Sequence, residues 1–160
     1  MPNEVTIRPG DVLTSEVFRD VAFEGVDFRG VQVVGARFEG CSFIDCTFTD
    51  EVVTDSVFEA CSFARVDFDG THLSDTSFAG STLAGCTMRG SFAEHVDLSG
   101  AQLSGSGDAL DATDCFWWDA VLDGCEAAGV QFTGATLVGT SFARAVLIDA
   151  SFRDALLLDC

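Results

Sequence analysis

The side chains able to do chemistry in this sequence are seven cysteines, two histidines and 26 carboxylates. The cysteines stand at 41, 46, 61, 86, 115, 125 and 160. A metal site needs convergent thiolates or imidazoles, and CxxC-type spacing is absent. Cys41 and Cys61 could form a disulfide only if the chain brings positions 20 apart together, and a small buried thiol is the simpler reading of all seven. His72 and His95 have no serine or cysteine partner visible at sequence range, so a nucleophile–base pair is not indicated. The stretch "VDFDG" sets Asp67 and Asp69 two apart, an arrangement that suits acid–base work only inside a desolvating cleft. No glycine-rich phosphate loop is present. These residues predict no enzyme, no cofactor and no metal.

Charge narrows the partner class. The net charge is −18, lysine is absent and all eight cations are arginine. Such an excess opposes direct binding to nucleic acid or to an anionic membrane, and suits either a partner with a basic surface or simple solubility. The N-terminal "MPNEVTIRPG" lacks the basic-then-apolar run of an export signal, and no stretch approaches the roughly 18 apolar residues of a membrane span. A cytoplasmic location, with reduced thiols, is the expectation.

The elements that hold these residues follow a period of five. Phe38, Phe43 and Phe48 mark it in "ARFEGCSFIDCTF". From Leu13 to Leu103 an apolar residue recurs every fifth position, with only Ala93 a weak centre, and a second run from Trp117 to Leu157 is shifted by one. Thirteen of the 15 phenylalanines sit at these centres, far above a random share. Counting the centre as i, position i−2 is small and holds every cysteine. Position i+2 holds 14 of the 16 glycines together with Asp20, Asp45, Asp50, Asp55 and Asp75. The flanking i−1 and i+1 positions are mostly polar.

Five is neither a helical period nor a flat strand's. Two inward residues separated by an outward one make a short extended segment. Glycine or aspartate then supplies a tight corner. Four such sides close a square coil of about 20 residues, and coils stack at the strand spacing of about 4.8 Å.

This pattern of small, polar, Leu or Phe, and two freer positions resembles the pentapeptide-repeat family over residues 11–160. The resemblance implies an all-β fold, a right-handed quadrilateral β-helix, with residues 1–10 as an N-terminal cap. Some members are proposed to mimic DNA and occupy the DNA-binding surface of DNA gyrase, giving quinolone resistance. Frames such as "CSFIDCTF" look like that subgroup. The resemblance therefore implies a DNA-mimicking rod that binds a type II topoisomerase, the alternative being a scaffold rod with an unrelated partner.

Three regions depart from the plain repeat. Near residues 104–116 the register changes, which is either a one-residue slip with a bulge or a short surface loop around 104–111, given "SGSGD". The acidic contact surface is expected at Glu39 and Glu59, at Asp55 and Asp75, each pair 20 apart, and at Asp67 and Asp69. Finally, Trp118, Val138 and Leu158 form an outward apolar column, with Phe116, Thr136 and Leu156 beside it. It is expected to be a contact surface unless the 104–116 segment covers it. With no capping helix after Leu157, a homodimer through the C-terminal coil, using Trp118, Val138, Leu156 and Leu158, is the expectation.

Overall fold

The computed structural model describes residues 5–105 and 108–160. Residues 1–4 of the expected N-terminal cap and residues 106–107 of the register break lie outside the described residues. Every strand is three residues long, as two inward positions per five-residue frame require. In chain order they are β1 (Val12–Thr14), β2 (Val17–Arg19), β3 (Ala22–Glu24), β4 (Gln32–Val34), β5 (Arg37–Glu39), β6 (Ser42–Ile44) and β7 (Val52–Thr54). There follow β8 (Val57–Glu59), β9 (Ser62–Ala64), β10 (His72–Ser74), β11 (Phe92–Glu94), β12 (Phe116–Trp118), β13 (Thr136–Val138) and β14 (Leu156–Leu158).

All ladders between these strands are parallel, and successive frames lie on successive sides of a square. The first side carries an eight-stranded sheet, β1-β4-β7-β10-β11-β12-β13-β14, which spans seven turns. The second side carries β2-β5-β8 and the third β3-β6-β9, each continued by isolated bridges such as Val57–Ser77 and Ser62–Thr82. The fourth side is built of bridges alone, running from Asp27–Thr47 to Gln131–Ser151. Seven steps of about 4.8 Å make a rod about 34 Å long.

The corners explain the aspartates and glycines. Residue i+2 turns the chain with positive φ, for example 51° at Asp55 and 62° at Gly139. Glycine tolerates this conformation and aspartate adopts it more readily than most residues. The corner N–H also stays in the ladder: Asp55 N–H donates to the Ser74 carbonyl at 3.0 Å. The small i−2 residues close a second gap. Their side chains donate to the centre carbonyl of the preceding turn, as Ser81 does to Phe58 (2.8 Å), Thr71 to Phe48 (2.8 Å) and Cys61 to Phe38 (3.3 Å). Cysteine is thus a small inward donor, in the register the sequence predicts.

Inside, the phenylalanines form ladders. Phe38 and Phe58 stack at 4.7 Å and 3°, and Phe58 and Phe78 at 4.8 Å and 1°. Within one turn the rings meet edge to face, as Phe38 and Phe43 do at 5.4 Å. Ala93, the weak centre, has a compensation. It pairs in register with Trp117, whose indole N–H donates to Ser91 Oγ at 3.1 Å in Ala93's own frame. The large indole is fully buried in the turn next to this small centre.

The register break is a loop, not a one-residue slip. Ladder partners are 20 apart up to Thr82–Gln102 and 24 apart from Thr87–Asp111 to Gln102–Glu126. Four residues are therefore inserted, and a gain of four is indistinguishable from a loss of one in a five-residue period. Ser104 and Ala109 form an antiparallel bridge, Gly105 N–H donates to the Asp108 carbonyl, and Leu110 N–H donates to Leu103. The break is also narrower than expected. Leu110, Ala112 and Cys115 are already buried in frame, so residues 110–116 belong to the coil.

The C-terminal turn is open. Phe142, Leu147 and Phe152 are half-buried, and the last centre, Leu157, is 42% exposed. Cys160 departs from the expected buried pattern: it is exposed, whereas the other six cysteines are buried.

Candidate interaction surfaces

The six carboxylates expected to form one acidic face lie on three parts of the rod. Glu39 and Glu59 pair in register on the second side. Asp67 and Asp69 belong to the fourth side, opposite it, where Asp67 takes part in the bridge column. Asp55 and Asp75 occupy the corner between the first and second sides. Stacking at a spacing of 20 is as expected, but the rotation between frames separates the pairs.

Arginines have the same 20-residue logic, and they neutralise part of this charge. Arg19 reaches Glu39 at 2.7 Å and Arg37 reaches it at 2.6 Å, while Arg37 also pairs with Glu59. The hydrogen bond from Arg19, followed by that from Arg37, holds Glu39 below its ordinary carboxylate range. Arg89 pairs with Asp69 at 2.6 Å, and Arg65 with Asp45 at 2.6 Å. Asp27 is held down to about 2, chiefly by its hydrogen bond from Arg29. Asp67 accepts the Asp69 N–H at 2.8 Å, a local turn contact, so the "VDFDG" pair is structural.

The corner column is different. Asp55, Asp75, Asp119 and Asp159 share it along the axis, with His95 between Asp75 (3.2 Å) and Asp119 (3.7 Å) and no arginine in the column. Asp119 was absent from the expected acidic set. Its membership was hidden by the shift of register after Leu103, which moves its partner from 20 to 24 residues away.

The apolar column is where the sequence places it. Trp118 pairs with Val138 and Val138 with Leu158; Phe116 pairs with Thr136 and Thr136 with Leu156. Trp118, Leu156 and Leu158 are 47%, 51% and 45% exposed, and Val138 is half-buried. The described residues of the loop do not cover it. The insertion sits at the corner between the third and fourth sides, where it walls an open groove of about 760 Å³ lined by Arg65, Gly85, Asp108, Gly129 and Ile148. The column also extends further than expected: Phe92 stacks on Phe116 at 5.3 Å, His72 lies 5.8 Å from Phe92, and Val12, Val34 and Val52 are exposed on the same sheet.

Among the described residues no group of three or more histidines, cysteines and carboxylates is gathered to hold a metal. His72 packs on an aromatic ring and His95 on carboxylates, and neither faces a nucleophile. Burial pushes up the thiols of Cys46, Cys86, Cys115 and Cys125, Cys86 and Cys125 each to about 11, whereas the hydrogen bond from Cys61 lowers Cys41 to about 7. Cys61 is raised by its contact with the stacked Cys41 sulfur and then by burial.

Comparison with known proteins agrees with this architecture. The sequence profile described as "Pentapeptide repeat region" matches residues 18–98, just over half of the chain, and that described as "Pentapeptide repeats (8 copies)" matches residues 128–157. No functionally curated protein matches the sequence. Similar solved structures include a trypsin-treated form of QnrB1, a plasmid-mediated fluoroquinolone resistance protein. It is 21% identical, with a TM-score of 0.49, covering 92% of this chain and 87% of that one. HetL, involved in heterocyst differentiation regulation in the cyanobacterium Nostoc sp. strain PCC 7120, is 12% identical with a TM-score of 0.31, covering 89% of each chain. Rfr23 from the cyanobacterium Cyanothece 51142 is 10% identical with a TM-score of 0.32, covering 91% and 90%. With a five-residue frame sustained along the chain, a square coil of parallel ladders and two matching profiles, the chain belongs to the pentapeptide-repeat family.

Proposed function

We propose that this protein is a non-enzymatic acidic rod that occupies the DNA-binding surface of a type II topoisomerase, DNA gyrase, in place of DNA. One observation carries the reading. A net charge of −18 spread over about 34 Å is roughly one charge per 1.9 Å of axis, beside one per about 1.7 Å for duplex DNA. The corner of Asp55, Asp75 and Asp119 is one part of that charge that pairs with no arginine, His95 being the cationic group beside it. A surface built to hold phosphates presents a basic field that steers such a rod into place. Exposed charges are screened within about 8 Å at physiological ionic strength, so the interaction is salt-sensitive.

The test is a supercoiling assay with gyrase from the source organism, with and without a quinolone. Wild type is expected to inhibit supercoiling or to protect the enzyme. Asp55→Asn, Asp75→Asn and Asp119→Asn together remove three charges while keeping residues that accept the corner conformation. The triple variant should lose most of the effect with its circular dichroism unchanged. No effect of folded wild type on gyrase or topoisomerase IV rejects the reading. Undiminished inhibition by the variant rejects this corner as its carrier.

A second reading, a scaffold rod with a different protein partner, is favoured by the exposed apolar residues of the first side. In either reading the exposed Leu156, Leu157 and Leu158 of the last strand support a homodimer through the C-terminal coil.

A further inference from the structure

The first side differs from the other three along its whole length. It alone carries a continuous sheet through all seven turns. Its outward positions include Val52, Phe92, Phe116, Trp118, Val138 and Leu156, and Glu94 is their one charged residue. None of the eight arginines falls on this side. Both corners bounding it carry aspartate, Asp55, Asp75, Asp119 and Asp159 on one edge, and Asp50, Asp114 and Asp154 among glycines on the other. Nine of the side's sixteen outward positions are apolar, interrupted by Thr14, Gln32, Thr54, His72, Ser74, Glu94 and Thr136, and so apolar a face in a protein of net charge −18 has no solubility rationale.

We propose that this strip is a docking surface for an amphipathic helix of a partner protein, one whose apolar stripe is flanked on both sides by lysine or arginine. Dimensions and charge identify the occupant. A three-residue strand makes the strip about 10 Å wide, and seven steps make it about 34 Å long. A helix with its side chains is about 10–12 Å across and rises 1.5 Å per residue, so roughly 22 residues laid along the axis fill the strip. The two aspartate corners then stand beside the helix flanks, where cations satisfy them. A second copy of this chain, laid face to face, would bring aspartate corners against aspartate corners. An anionic membrane would meet the same repulsion. The inference shares the Asp55, Asp75 and Asp119 corner with the topoisomerase reading but does not depend on it, because its contact surface is the apolar side chains and its assay contains no gyrase.

The test uses a synthetic 22-residue leucine–lysine peptide with leucines at i, i+3, i+4 and i+7 spacing. Its controls are a scrambled peptide of the same composition and a leucine–glutamate peptide with the same stripe. Binding is followed by calorimetry and by the emission of exposed Trp118, the other tryptophan being buried. The striped basic peptide should bind one to one, at least tenfold tighter than either control, with a blue shift. Trp118→Ser with Val138→Ser should weaken binding tenfold or more. A photo-reactive residue on the leucine stripe should label the first side of wild type, which needs no variant to fold. Equal affinity for the striped and scrambled peptides overturns the proposal, as does labelling of another side. It is also overturned if peptide-free protein forms a dimer that the double serine variant abolishes, since the strip then belongs to a second copy.

Discussion

Phe43→Ala is expected to be among the most damaging single changes in this protein. Phe43 is fully buried and lies between the rings of Phe23 at 4.9 Å and Phe63 at 4.7 Å, with Phe38 and Phe58 meeting its edges at 5.4 and 5.8 Å. Truncating a core phenylalanine costs about 3–5 kcal/mol, and each aromatic pair adds roughly 0.5–1.5 kcal/mol beyond area burial. The upper end of that range applies here because the gap cannot collapse. Phe23 and Phe63 belong to turns held about 9.6 Å apart by backbone ladders above and below. With a urea slope of about 2 kcal/mol per molar, the midpoint should fall by about 2 M. Thr49→Ala, at an outward position of the next frame, should move it by less than about 0.3 M. The measurement is a urea titration of both variants and wild type, followed by far-ultraviolet circular dichroism and by amide exchange in the first three turns. Equal midpoints for the two variants would refute the inward–outward assignment from which the fold is built.

Three further expectations rest on other parts of the rod. Deleting residues 106–109 joins Gly105 to Leu110 and restores an unbroken frame, so the shortened protein should keep its dichroism and melt within a few degrees of wild type; loss of folding would show that the insertion is not a simple extra loop. Native protein at pH 8 should present one fast thiol to a disulfide reagent, Cys160, and all seven only when unfolded, because the other six are buried, which also holds groups such as Cys86 and Cys125 protonated until about pH 11; two or more fast thiols would contradict the packing. Leu158→Asp should convert the proposed dimer to a monomer in light scattering, and a wild-type monomer at tens of micromolar would remove the dimer.

The repeat was legible because its physics is local. A five-residue frame with Phe38, Phe43 and Phe48 at its centres specifies side, corner and coil without any long-range pairing to be guessed. Two things were not legible, for different reasons. The insertion after Leu103 was ambiguous because four residues gained and one lost leave the same register: both put Ala112 and Trp117 at centres, and only ladder partners 24 apart show which side each centre occupies. The division of the acidic set was available but required rotation to be tracked: Glu39 belongs to a second-side frame and Asp67 to a fourth-side frame, so carboxylates close in sequence end on opposite sides. The same arithmetic pairs Arg65 with Asp45 and Arg89 with Asp69, which no count of carboxylates alone could show.

The axial ladder has a mechanical consequence. The hydrogen bonds that join one turn to the next run along the rod, and each turn is bonded only to its neighbours. A load applied between the chain ends therefore meets these bonds a turn at a time and peels them in series, with no strand sheared along its length. Each yielding turn releases about 20 residues, or roughly 68 Å of slack at about 3.4 Å per residue, against the 4.8 Å it occupied. Such a tether gives way in even steps and can lengthen many-fold while the remaining turns stay intact.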